Sequence, residues 1–226
     1  MVVRKPIKIV IIGAGGFGKE VLWTLLEQNK ISETFEILGF IDDDTKLHGK
    51  IIHQKKVLGG LDWFEKKSAK NVQCVIAIGS GLIRKKIATL LEKMDIKFAT
   101  IIHPSVIMSE SVRIGKGTII QAGTVITVDV QIGNHCRIDN ACTIAHDSII
   151  EDFVDLSPGV HINGANTIQK GVFVGSSTTT KEKIHVGKWC IIGAGTVLIK
   201  DVPDFSLCVG VPGKIKKKFE SQTELL

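Results

Sequence analysis

Apolar residues recur at every sixth position from Ile102 to Leu198, through Met108, Ile114, Ile120, Ile126, Ile132, Ile138, Ile144, Ile150, Leu156, Ile162, Ile168, Val174, Val186 and Ile192. Thr180 is the one polar member of the series. A second small or β-branched residue stands two places before each, as at Val106, Val112, Thr118, Cys136, Cys142, Val154, Val172 and Thr196, with Asn166 the exception. A helix needs apolar positions three or four apart, and a strand needs them two apart. A period of six fits neither and predicts a parallel β-helix, in which short strands alternate with turns.

Three six-residue sides make a triangular turn of about eighteen residues, and successive turns stack at roughly 4.8 Å. Each aliphatic points inward onto its equivalent one turn away. The smaller partner fills a corner that a larger side chain would overpack. Gly115, Gly133, Gly175, Gly187 and Gly193 each follow an inward aliphatic and are expected to supply unusual backbone angles at tight turns. Roughly seventeen repeats give between five and six turns, with no inserted loop.

Before about residue 100 the pattern is different. A buried strand, Lys8 to Ile12, leads through Gly13-Ala14-Gly15-Gly16-Phe17-Gly18 into a helix reaching about Asn29. Further strands are predicted from Glu36 to Ile41, Val72 to Ile78 and Lys97 to Ile101, with a helix from Arg84 to Met94. Alternating strands and helices imply a parallel sheet. The expected fold is therefore α/β plus β-solenoid: a small Rossmann-like domain over 1–100, the coil over 101–213, and a basic tail over 214–226.

Gly13, Gly15 and Gly18 form G-x-G-x-x-G between strand and helix, where backbone N–H groups and a helix N-terminus can face a pyrophosphate. Asp42 ends the next strand, where a carboxylate can accept from a ribose or base. The plain alternative is a tight turn that binds nothing. About a hundred residues supply only half a dinucleotide fold, which favours a single nucleotide-linked ligand over NAD.

The net charge is +6, with Lys214, Lys216, Lys217 and Lys218 crowded near the end. Such a cluster reads as a solvated tail before a nucleic-acid or membrane patch. No transmembrane span or secretory pattern is present, and five unpaired cysteines suit a reducing, cytoplasmic setting. Cys136, Cys142 and Cys190 take inward positions, which wastes them as metal ligands.

Taken together, Gly13-Ala14-Gly15-Gly16, Phe40-Ile41-Asp42-Asp43, Ala77-Ile78-Gly79, Ala145-His146-Asp147 and Val209-Gly210-Val211-Pro212-Gly213-Lys214 resemble the bacterial sugar acetyltransferases. These pair a nucleotide-binding α/β domain with a left-handed β-helix. They include nucleotide-linked amino-sugar N-acetyltransferases and sialic acid O-acetyltransferases. The left hand is implied by the resemblance, not by the period.

The resemblance implies His146 as general base, with Asp147 orienting its ring. Adjacent residues on a strand face opposite ways, so this pairing requires a turn. It also implies acetyl-CoA as co-substrate along a seam of a homotrimer, against Asp155, Gly164, Ser176 and Ala194, with Val211, Pro212 and Lys214 as a lid. Gly164 stands one coil turn from His146, and its N–H is a candidate donor to the thioester carbonyl. Gly13, Gly15, Gly16, Phe17, Asp42, Asp43 and Gly79 would hold the nucleotide sugar. Phe17 and Asp155 depart from histidines found in several relatives.

The resulting expectation is direct N-acetylation of a nucleotide-linked 4-amino sugar, without metal, nucleic acid or membrane insertion. The alternatives are O-acetylation of a sialic-acid-like sugar, an NAD oxidoreductase, a metal-dependent hydratase using His135, His146 and His161, or a non-catalytic scaffold. The hydratase is disfavoured because those histidines are not one coil turn apart.

Overall fold

The computed structural model describes residues 5–65, 71–221 and 224. The first hundred residues build a four-stranded parallel sheet from β1 (Ile7–Ile12), β2 (Phe35–Ile41), β5 (Gln73–Ile76) and β6 (Lys97–Phe98), in the order β2-β1-β5-β6. Between β2 and β5 runs a short hairpin, β3 (Ile51–Ile52) with β4 (Lys55–Lys56), which the periodicity did not predict. The central β1 buries Ile9, Val10, Ile11 and Ile12 against both faces, as a continuous apolar run in a parallel sheet should. Helix α1 spans Gly16–Ile31 and α2 spans Gly81–Lys93. The Ser80 side chain caps α2, so that helix begins three residues earlier than Arg84.

A β-solenoid of about six turns follows. Two-residue strands begin with Ile101–Ile102 and are laid on three faces. Ile120, Ile138, Leu156, Val174 and Ile192 pair in one column, each with its equivalent eighteen residues on. That stack, with Val130, Cys136, Cys142, Val154 and Val160, forms one dry core along the axis. The first coil strands also belong to the α/β core: Ile101 and Ile119 pack with Leu22 and Leu25 of α1. The two domains are therefore joined by apolar contact as well as by the chain.

The glycine expectation is corrected. Gly115, Gly133, Gly175, Gly187 and Gly193 do not have positive φ. They are small because the next turn passes too close: a Cβ at Gly115 would stand 2.6 Å from the Gly133 carbonyl, and one at Gly133 2.6 Å from Asp152 N. The left-handed position lies two residues further along, at Gly117, Gly123, Gly159, Gly171 and Gly195. Non-glycine residues also occupy it, including Asp129, His135, Ala141, Asp147 and Ala165.

Lys214–Lys218 is not a free tail. It forms a strand antiparallel to Ser206–Val209, which itself continues one face of the coil, so the lysine backbone closes the open end. Among the described residues no helix is long and apolar enough to cross a membrane.

Candidate active site

His146 and Asp147 lie on the turn after the coil strand Thr143–Ile144. Asp147 has φ +58°, and this left-handed step brings two adjacent side chains to the same side. His146 Nδ1 is 2.8 Å from Asp147 Oδ2. The ring is 60% exposed, and its other nitrogen lies over Gly164. A Cβ on residue 164 would come within 2.6 Å of Nε2, so glycine is what lets the imidazole lie there. The Gly164 N–H donates to no acceptor among the described residues, while its carbonyl accepts from Lys183 N. An imidazole held by a carboxylate and an N–H with no acceptor among the described residues are thus within one corner of the coil.

Ser176 and Ala194 stack one turn apart at a different corner, after the strands Phe173–Val174 and Ile191–Ile192. Val211 and Lys214 are exposed at the closing hairpin. One chain does not bring these residues to His146; they occupy a separate edge of the prism.

In the α/β domain, Gly13, Gly15, Gly16, Phe17, Asp42, Asp43 and Gly79 do converge, around a groove of about 450 Å³. Gly13 has φ +104°, and a side chain there would strike the Ala77 carbonyl at 2.7 Å. Gly15 and Gly16 face open space, with nothing within 4 Å of a Cβ, so a ligand can reach their backbone and the start of α1. Asp42 is already engaged: its carboxylate accepts from Ala14 N at 2.8 Å and Asp44 N at 3.0 Å, tying the glycine loop to the end of β2. Asp43 accepts from Leu61 N and is otherwise exposed.

Asp155 lies at the domain junction, on the coil face turned to α2. It is almost wholly buried, 3.0 Å from Arg84 Nη1 and 3.2 Å from Arg137 Nε. The latter approach is off the line a hydrogen bond needs, so charge attraction holds that pair. Burial pushes the Asp155 carboxyl up, and the two guanidiniums oppose this. The carboxylate borders a cleft of about 260 Å³ with Ser80, Gly81, Phe173 and Trp189. Its charge, though, is committed to two arginines rather than left free for a cofactor. Arg84 also donates to the carbonyls of Ile78, Gly79, His135 and Phe153, pinning the loop before α2 to the coil. Neither arginine was picked out from sequence. The signal was there, since Arg137 and Asp155 are eighteen residues apart and pair in the ladder.

All five cysteines are buried and free, and burial raises Cys136 to about 12 and Cys142 and Cys190 to about 11. Ser157 is buried as well. No group of three or more His, Cys, Asp or Glu side chains able to hold a metal occurs among the described residues. His135 lies between Phe98 and Phe153 rather than near His146.

A family model described as the PglD N-terminal domain matches residues 8–91. The GDP-perosamine N-acetyltransferase of Escherichia coli O157:H7 is 29% identical over 186 residues, covering 82% of this chain and 82% of that protein. A mutant perosamine N-acetyltransferase from Caulobacter crescentus, solved in complex with CoA and GDP-perosamine, has a TM-score of 0.86 at 28% identity, over 93% of this chain and 97% of its own. WeeI from Acinetobacter baumannii AYE is 30% identical with a TM-score of 0.82, over 92% of this chain and 99% of its own. With the likeness covering both domains, the chain belongs to the bacterial sugar acetyltransferases that carry a hexapeptide-repeat β-helix.

Proposed function

We propose that this enzyme transfers the acetyl group of acetyl-CoA directly to the amino group of a nucleotide-linked amino sugar, with His146 as general base. The observation that carries the mechanism is the 2.8 Å contact of His146 Nδ1 with Asp147, which turns Nε2 toward Gly164. The names of the relatives, and the CoA and GDP-perosamine bound to one of them, support the substrate class.

The chemistry then needs few parts. The amine nitrogen attacks the thioester carbonyl and forms the C–N bond, and Nε2 takes the ammonium proton. The Gly164 N–H is available to the oxyanion that develops. Collapse breaks the C–S bond, and the departing thiolate takes the proton back from the imidazolium. Asp147 keeps Nδ1–H as the donor to itself and so leaves Nε2 free to accept. No acyl-enzyme is required, and the raised, buried cysteines are poorly suited to one.

The active assembly in this account is a homotrimer. His146–Gly164 and Ser176–Ala194 sit on different corners of one prism, so acetyl-CoA spanning both needs a second copy of the chain. Exposed Ile107, Val128 and Ile149, on the two coil faces that meet at the His146 corner, supply apolar surface for that contact. The sugar nucleotide occupies the glycine-loop groove. The five free, buried cysteines and the use of these two substrates support a cytoplasmic setting.

The test is thiol release from acetyl-CoA with UDP-, dTDP- and GDP-linked 4-amino-6-deoxy sugars and with their 4-hydroxy counterparts. Turnover on an amino sugar, with an amide found by mass spectrometry, is the expected result. Turnover only on the hydroxy sugars would overturn nitrogen as the acceptor.

A further inference from the structure

The groove assigned to the nucleotide sugar has an uneven electrostatic make-up. Its walls include two carboxylates, Asp42 and Asp43, and, among the described residues, no lysine or arginine. A diphosphate entering it would meet backbone N–H groups and the start of α1, but no full positive charge from the groove's described α/β residues. A positive charge reaches it from the coil. The Arg137 guanidinium lies 5.1 Å from the centre of the Phe17 ring, and its Nη1 stands 3.4 Å from where a Cβ of Gly79 would be. Phe17 and Gly79 both line the groove, and Gly79 also lines the cleft beside Asp155. Arg137 therefore sits under the saddle joining the two hollows.

We infer that Arg137 is a specificity-determining residue that receives the phosphates of the nucleotide sugar at this saddle. The inference rests on the reading of the groove as the nucleotide-sugar site.

Its geometry suits the task. Arg137 Nε faces Asp155, which is itself fixed by Arg84. The flat guanidinium is braced against Phe17, a favourable face for a cation. Neither Nη donates a hydrogen bond among the described residues, and Asp139 Oδ2 is 3.9 Å from Nη2. Glu20 also faces the group, and its pKa is raised by burial and by Asp139 while Arg137 opposes. A planar fork held at one end, with neither outer nitrogen donating a hydrogen bond among the described residues, is suited to two phosphate oxygens. The same arrangement accounts for Phe17 and Asp155, the two departures noted in the sequence: one is the platform and the other the anchor.

Calorimetry with GDP, UDP and dTDP, the matching nucleosides, and CoA tests this on wild type, Arg137→Met and Arg137→Lys. One diphosphate should bind wild type. Arg137→Met should weaken it roughly ten- to a hundredfold, as for loss of a charge-assisted contact, with nucleoside and CoA affinity unchanged. Arg137→Lys, which keeps the charge and loses the fork, should fall between. If Arg137→Met does not fold, a selective few-fold loss of the diphosphate by Arg137→Lys carries the inference instead. Equal losses for diphosphate and nucleoside, or a loss of CoA, would mark a structural role and overturn it. Wild-type protein that binds none of the three diphosphates would overturn the nucleotide reading, and the assignment of Arg137 with it.

Discussion

Asn166 Nδ2 donates to Thr180 Oγ1 at 2.9 Å, so the two residues that interrupt the repeat are bonded to each other inside the coil. Thr180 Oγ1 also accepts from Asn163 N, and Asn166 Oδ1 accepts from Ile184 N at 2.7 Å. Ser148 Oγ joins them by donating to the Asn163 carbonyl. These groups flank the segment carrying Gly164, directly behind His146. A polar network fully satisfied in a dry core rigidifies what it touches. Here it holds the corner on which His146 rests.

Asn166→Ala leaves the Ile184 N–H and the Thr180 hydroxyl without that partner. The expected cost is about 2–4 kcal/mol, more than for an exposed polar residue. Asn166→Ala and Thr180→Val together should cost less than the sum of the two, with a coupling of roughly 1 kcal/mol or more. Urea unfolding of the single and double variants measures this, and strict additivity would dissolve the network.

Gly164→Ala should fold and bind substrates but turn over slowly. The new methyl would occupy the space of Nε2, and the exposed ring can swing away at little cost to the fold. Displacing the base by about 1 Å should lower kcat on the order of a hundredfold. A kcat equal to wild type, with the thermal midpoint also unchanged, would contradict the packing of His146 on Gly164.

The coil was legible because a period of six leaves one reading, whereas the His146–Asp147 pairing came from the family resemblance, and the left-handed turn at Asp147 is what lets the two side chains meet. Relationships across the coil were harder to see. Gly115 and Gly133 looked like conformational glycines, yet their reason is the backbone of the next turn, which no local pattern displays. Arg137 and Asp155 resemble ordinary outward polar residues until α2 is laid over that face and buries them. Lys214–Lys218 has a tail's composition, and only the free edge at the last turn makes it a strand.

Acid should expose the second buried polar group at the junction. His135 is pushed down to about 4 by burial between Phe98 and Phe153, and neither ring nitrogen has a hydrogen-bond partner among the described residues. The unfolded chain takes up this proton near pH 6.5 and the folded one only near 4, so stability falls as pH drops between those values. The loss attributable to this residue is about 3 kcal/mol. His135→Phe should remove that part of the slope in urea unfolding between pH 7 and 4.5. An unchanged slope would mean that other groups carry it.

Thiol reagents should find little to react with. All five cysteines are buried, and those facing the coil have raised pKa values. Native protein treated with iodoacetamide at pH 7.5 should keep full activity and remain unlabelled by mass spectrometry, while unfolded protein takes five labels. Rapid inactivation with one label would point to a cysteine in the reaction.

The most direct test of the mechanism is the steady-state rate of acetyl transfer to the preferred amino sugar by wild type and His146→Ala, with the thermal midpoint measured on the same samples. The account predicts a kcat lower by about a hundred- to ten-thousandfold, KM values for both substrates within a few-fold, and an unchanged midpoint. A folded His146→Ala enzyme that turns over within a few-fold of wild type would contradict it.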